Sequence, residues 1–156
     1  MADVVSIKKR SEMMSGIRSK NTRPELLIRK ALHQAGFRFR IHQSDLPGKP
    51  DLVLPKYKAA IFIHGCFWHG HECHLFKWPS TRADFWKMKI NRNREKDRES
   101  LEKLHEQQWR VLIIWECAIK GRDRLDLSIC FHKITKWVAS KVKFKVIEGK
   151  TRLLFS

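Results

Sequence analysis

Ala59-Ala60-Ile61-Phe62-Ile63-His64-Gly65-Cys66-Phe67-Trp68-His69-Gly70-His71-Glu72-Cys73-His74 changes character halfway along. The run up to Ile63 is apolar and partly β-branched, the pattern of a buried strand. From His64 to His74 the chain holds four His and two Cys within eleven residues. Phe67 and Trp68 sit among those polar groups. A loop so rich in ligand-type side chains has no apolar core of its own, and a bound cation is the natural means of ordering it.

The flanking sequence supplies the rest of a sheet. Asp51-Leu52-Val53-Leu54 reads as a short strand, and Pro55-Lys56-Tyr57-Lys58 turns it into the strand that feeds the loop. Trp109 to Trp115 is the most apolar run and predicts a central strand, with Cys117 just past its end. Between them the pattern predicts a long charged helix from about Thr81 to about Gln107. Its apolar residues are Phe85, Trp86, Met88 and Ile90 at the start, and Leu101 and Leu104 near the end. The polar middle, Asn91 to Ser100, reads as a solvated face.

Upstream, Thr22-Arg23-Pro24-Glu25 matches a capping box. Leu27, Ile28, Ala31, Leu32 and Ala35 form a helical stripe that Gly36 stops. Phe37 to His42 alternates with period two and reads as a strand. Residues 1–21 read as a basic N-terminal arm in which Met14 and Ile17 could dock on a partner. Downstream, Leu127, Phe131, Ile134, Trp137 and Val138 predict an amphipathic helix. Lys141 to Phe155 alternates around Glu148-Gly149-Lys150, which predicts a terminal hairpin. The element order predicts one α/β domain over residues 1–156, with a mixed central sheet flanked by helices.

Charge points to the partner. The chain carries 33 Lys plus Arg against 16 Asp plus Glu, a formal +17 spread over its whole length. That excess predicts a polyanion partner, nucleic acid first. No secretory signal and no apolar run of membrane-spanning length is visible. The four Cys then imply a reducing compartment, where thiols more often bind metal than pair as disulfides.

Four groups of residues could carry chemistry. Cys66, His71, Cys73 and Cys117 form a Cys3His set suited to a structural zinc, provided that the 109–115 strand lies beside the 59–65 strand. His69 or His74 could stand in for His71. Cys130, with apolar neighbours, reads as plain core. Asp51, at a strand start in Gly48-Lys49-Pro50-Asp51, is placed to bind Mg2+. Glu25 either completes the capping box or, if it turns inward, joins Asp51. His64 and His69 are left over beside the zinc set, and an imidazole can take a proton from water or stabilise a phosphate oxyanion. Phe67, Trp68 and Trp86 either pack under the loop or wedge between bases.

These residues resemble a known family. Pro50-Asp51, the string Phe62-Ile63-His64-Gly65-Cys66-Phe67-Trp68-His69, then His71, Cys73 and Trp115-Glu116-Cys117 are similar to the very-short-patch-repair DNA mismatch endonucleases. Arg10-Ser11, Met14, Ile17, Thr22, Glu25 and Phe85-Trp86 extend the match, which runs to about Gly121. The resemblance implies a restriction-endonuclease-like fold with a structural zinc loop. It implies a Mg2+-dependent enzyme that nicks 5′ to the thymine of a T:G mismatch left by deaminated 5-methylcytosine. By position, Asp51 and the backbone carbonyl of Ile63 would bind Mg2+. His69 would activate water, Glu25 would support the water network, and His64 would contact the scissile phosphate. Phe67, Trp68 and Trp86 would open the stack from the major groove, and Met14 and Ile17 from the minor groove. The family member known best has Thr where Ile63 stands, and His in place of Gly70 and Glu72. The Glu-x-Lys half-motif of related nucleases is absent, so a His must supply the base. The implied setting is a monomer in the bacterial cytoplasm, at the nucleoid, with mismatch-repair proteins as possible partners. The rival expectations are a nuclease of the same fold with another specificity, and a zinc-stabilised DNA-binding module without catalysis.

Overall fold

The computed structural model describes residues 22–150. It opens with α1 (Arg23–Gln34), capped by Thr22, whose hydroxyl accepts from the Glu25 N–H at 3.4 Å. Ile28 and Leu32 on its apolar stripe are fully buried. The strand read over residues 37–42 shrinks to β1 (Arg40–Ile41), both residues exposed at the sheet edge. Phe37 instead stacks edge-on against Tyr57, ring centres 5.4 Å apart. A left-handed φ of 54° at His42 ends the strand.

β2 (Leu52–Leu54) and β3 (Ala59–His64) are antiparallel and joined through a single 3-10 turn, Pro55–Tyr57. The charged helix forms as α2 (Ala83–Glu106). It is followed by β4 (Arg110–Trp115), a 3-10 turn at Glu116–Ala118, α3 (Leu127–Ala139) and β5 (Phe144–Ile147). The sheet runs β1-β2-β3-β4-β5. The first two pairings are antiparallel and the last two parallel, so the sheet is mixed. β5 is thus the edge strand of a crossover through α3. It covers the first part of the expected terminal hairpin, and residues 151–155, where the rest was expected, lie outside the described residues.

The sheet separates two apolar layers, because successive strand side chains point to opposite faces. Ala59 and Ile61 of β3 and Leu112 and Ile114 of β4 pack with Ile28, Leu32, Ile134 and Val138 of α1 and α3. Cys130 lies in this layer, as its apolar neighbours led us to expect. Phe62, Val111 and Ile113 pack on the other face with Leu101 and Leu104 of α2. All strands of the parallel portion point the same way, so the loops after β3 and β4 emerge at one end. The register fixes how they meet: His64 pairs with Trp115, the last residue of each strand. Cys66 and Cys117 each lie two residues further on. Among the described residues, no helix is long and apolar enough to cross a membrane.

Candidate active site and metal cluster

The loops at this end build two sites side by side. The first is a cleft of about 630 Å3 whose lining includes Glu25, Asp51, Ile63, His64, His69 and Asp97. Asp51 stands immediately before β2. Its Oδ2 accepts from the Ile63 N–H at 2.7 Å. In an extended strand a residue's N–H and C=O leave the same edge, so the Ile63 carbonyl is directed toward Asp51 as well. Gly48 helps to place this segment. Its φ is +75°, and a Cβ there would stand 2.8 Å from the Ser100 side chain on α2.

Glu25 is buried and turned inward, its Oε2 accepting from Arg29 at 2.9 Å. Its carboxylate also acts on Asp51. Burial pushes the Asp51 carboxyl up to about 7; the Ile63 N–H pulls it down, and Glu25 adds to the rise. Two carboxylates crowded in this way, beside a backbone carbonyl, form an oxygen donor set that a hard divalent cation would relieve. The residues therefore fit Mg2+.

His64 and His69 stack face to face, ring centres 3.8 Å apart and planes 5° from parallel. Burial, then the neighbouring His69, lowers the pKa of His64 to about 3, so it is a neutral imidazole. Its Nδ1 is buried with no hydrogen-bond partner among the described residues. The Nδ1 of His69 lies 2.5 Å from Asp97 Oδ2. A carboxylate accepts there, which fixes the proton on Nδ1 and leaves the lone pair on Nε2.

Asp97 escaped sequence reasoning, which read its stretch of helix as solvated. In fact one flank of that stretch faces the loop. Asn93 Nδ2 donates to the Trp68 carbonyl at 2.9 Å, and Arg94 donates to the Gly70 carbonyl. The available signal was spacing alone: Asn93 and Asp97 are four apart and share a helix face.

The second site is the cluster of Cys66, His71, Cys73 and Cys117. Their candidate ligand atoms all lie within 4.8 Å of one another, so together they could hold a metal ion. Tetrahedral zinc with Zn–S bonds of roughly 2.3 Å places its sulfurs roughly 3.8 Å apart, and Cys117 Sγ is 3.7 Å from His71 Nδ1. The thiols compete for protons: the Cys66 thiol beside it lowers Cys117 to about 6, while Cys66 itself is pushed up. Soft donors that already share protons at this spacing fit zinc. The two other candidate histidines are engaged elsewhere. His69 holds Asp97, and His74 Nε2 accepts from the Arg122 N–H at 3.0 Å.

Phe67 and Trp68 lie between the two sites and line the cleft. With Trp86, from the first turn of α2, they form a ring triad with centres 5.2, 5.4 and 5.8 Å apart. All three are only partly buried, and none belongs to either apolar layer. Met14 and Ile17 lie outside the described residues.

A carboxylate-lined cleft where β2 begins and β3 ends, in a mixed sheet with helices on both faces, is the arrangement of the restriction-endonuclease-like class. Comparison with known proteins gives the family. The pattern described as DNA mismatch endonuclease Vsr matches residues 2–75. The DNA mismatch endonuclease Vsr of Escherichia coli K12 is 43% identical over 141 residues, 90% of each chain. The type II nicking enzyme V.XorIIP of Xanthomonas oryzae pv. oryzae is 44% identical over 129 residues, 83% of this chain and 95% of its own. V.NmeAIP, a type II nicking enzyme of Neisseria meningitidis, is 41% identical over 138 residues, 88% of this chain and 95% of its own. The chain belongs to the Vsr family of DNA mismatch endonucleases, and it is a DNA-repair endonuclease acting on DNA.

Proposed function

We propose that the whole chain works as one monomeric domain that nicks duplex DNA 5′ to the thymine of a T:G mismatch, with Mg2+ in the cleft and zinc in the cluster. The observation that carries this reading is one juxtaposition. Asp51 and Glu25 face the stacked His64 and His69 in a cleft whose rim carries Phe67 and Trp68. The names of the nicking relatives support single-strand cutting.

Asp51 and the Ile63 carbonyl would hold the cation, and Glu25 would anchor its water network. A Mg2+ ion held by these residues would supply Lewis-acid chemistry, favouring water deprotonation and offsetting charge on the phosphate. His69, aligned by Asp97, takes the proton of the attacking water through Nε2. His64, kept neutral by burial, donates an N–H to a non-bridging oxygen of the scissile phosphate. The water oxygen bonds to phosphorus as the bond to the 3′ oxygen breaks, and the departing 3′ oxygen takes a proton from solvent water, leaving a 5′-phosphate and a 3′-hydroxyl. Phe67, Trp68 and Trp86 test the stack beside the mismatch, because unstacking costs less where pairing is already weakened. The arm over residues 1–21 docks on the DNA with Met14 and Ile17 in the minor groove. The setting is the nucleoid in the bacterial cytoplasm.

A strand-specific nicking assay tests this reading. Duplexes that differ only by T:G against C:G at one position are incubated with Mg2+ or with EDTA. The expected result is one nick, in the thymine strand, only with T:G and Mg2+. Equal cutting of the matched duplex would leave a nuclease of another specificity.

A further inference from the structure

Four residues could ligate the metal in the cluster, yet two more reach it from a distant part of the chain. They belong to the turn that follows β5, a segment that sequence reading treated only as a hairpin tip. Glu148 Oε2 lies 2.7 Å from His71 Nε2. A carboxylate accepts, so the proton sits on Nε2, and in the neutral ring Nδ1 carries the lone pair. That lone pair faces Cys117 Sγ at 3.7 Å, toward the inside of the cluster. The next residue reaches the other side. Gly149 N–H donates to Cys117 Sγ at 3.3 Å.

Only glycine allows that approach. A Cβ at position 149 would stand 2.6 Å from the Cys117 carbonyl oxygen and 2.8 Å from that of Asp123. Both are backbone atoms, which cannot swing aside. Lys150 N–H then donates to the Asp123 carbonyl at 2.6 Å, so three successive residues of the turn are tied to His71, Cys117 and Asp123 in turn. β5 itself is held by parallel pairing to β4, the strand that leads into Cys117. Ile147, the last β5 residue, pairs with Ile114, three residues before Cys117. The turn is therefore delivered to the cluster by the sheet register.

We propose that Glu148 and Gly149 are positioning residues of the metal centre: Glu148 sets the His71 tautomer that can ligate, and Gly149 stabilises the Cys117 thiolate. The inference rests on the zinc reading of Cys66, His71, Cys73 and Cys117. It makes the C-terminal turn the latch of the metal loop. A ligating imidazole whose second N–H is held by a carboxylate binds metal more tightly than one left to water, by about 10- to 100-fold.

The test is zinc release from the full-length protein into an excess of a colorimetric chelator, paired with the visible spectrum of the cobalt-substituted protein. Glu148→Ala is expected to speed release about 10- to 100-fold and to change the cobalt ligand-field bands. Glu148→Gln, which keeps an acceptor, should recover most of the slow release. Gly149→Ala should release zinc as fast as Glu148→Ala. Phe144→Ala is the control, an exposed β5 side chain away from the cluster. Release from Glu148→Ala at the wild-type rate overturns the proposal, as does an equal acceleration in Phe144→Ala with an unchanged cobalt spectrum. Wild-type protein that carries no zinc overturns the zinc reading and this inference together. Wild-type protein that holds zinc while Glu148→Ala is silent overturns this inference alone.

Discussion

The cleft and the cluster grow from the same strand ends, yet they are finished in opposite ways. In the cluster nearly every polar group has a partner. His71 has Glu148 and Cys117, Cys117 has the Gly149 N–H, and Cys66 N–H donates to Glu116 at 3.3 Å. In the cleft the groups are left in tension. Asp51 is pushed up to about 7 by burial and then by Glu25, and the buried Nδ1 of His64 has no partner among the described residues. Structural metal sites are closed by protein ligands, whereas catalytic ones keep positions open for water and substrate. The contrast is the one expected if the cluster is the structural site and the cleft the catalytic one proposed above.

Asp51→Ala strikes the open site alone, and the largest loss is expected there. Nicking of a T:G duplex should fall by at least about 1,000-fold, as when a principal transition-state contact is removed. DNA affinity in a gel-shift assay should change little, because phosphate contacts from Lys and Arg carry most of it. Thermal stability should hold or rise slightly, since the carboxylate crowding disappears. Near-normal nicking would move the cation away from Asp51.

Cys117→Ala strikes the closed site and should show the reverse order of effects. We expect loss of bound zinc by elemental analysis and a fall in Tm of about 10 °C or more. Activity is lost only as a consequence, since the same loop carries Phe67, Trp68 and His69. An unchanged Tm with a full complement of zinc would show that the cluster is not the metal site.

The same contrast explains what could be read from the chain. β3 and β4 are legible because an apolar run of strand length with β-branched residues has few other uses. The cluster is legible because thiols and imidazoles crowd into a short loop, and only the β3–β4 pairing had to be supplied. Asp51 stands out by its place at a strand start after Pro50. Asp97 and Glu148 do not stand out, because each is one carboxylate among charged neighbours. Their roles depend on where α2 and β5 come to rest, which no local pattern encodes. β1 was overread because alternation in Phe37 to His42 reflects Phe37 packing on Tyr57 rather than a long paired strand.

Trp86→Ala probes the ground between the two sites. Trp86 is partly exposed in the first turn of α2 and touches Phe67, Trp68 and Phe85 rather than either apolar layer. Its loss should reduce T:G nicking by about 10- to 100-fold, the cost of a stacking contact worth about 1–3 kcal/mol. Tm should stay within a few degrees, and nonspecific DNA binding should persist. A variant that melts would make Trp86 part of the fold and leave the wedge to Phe67 and Trp68.

Ile63→Thr should have the smallest effect, and it sharpens the account of the open site. The Ile63 side chain packs against the α1 and α3 layer, while its backbone N–H is held by Asp51. If the residue serves the cleft through its backbone alone, a hydroxyl in place of the ethyl group changes packing but not chemistry. Stability should drop by about 1 kcal/mol, in the range for trimming a partly buried aliphatic side chain. Nicking under saturating Mg2+ should stay within about twofold, and the Mg2+ concentration for half-maximal rate should not move. A shift of that concentration by about tenfold or more, in either direction, would mean that the side chain at this position reaches the cation. The donor set would then be larger than a carboxylate and a carbonyl, and the Ile63 of this chain would mark a real difference in how tightly its cleft holds metal.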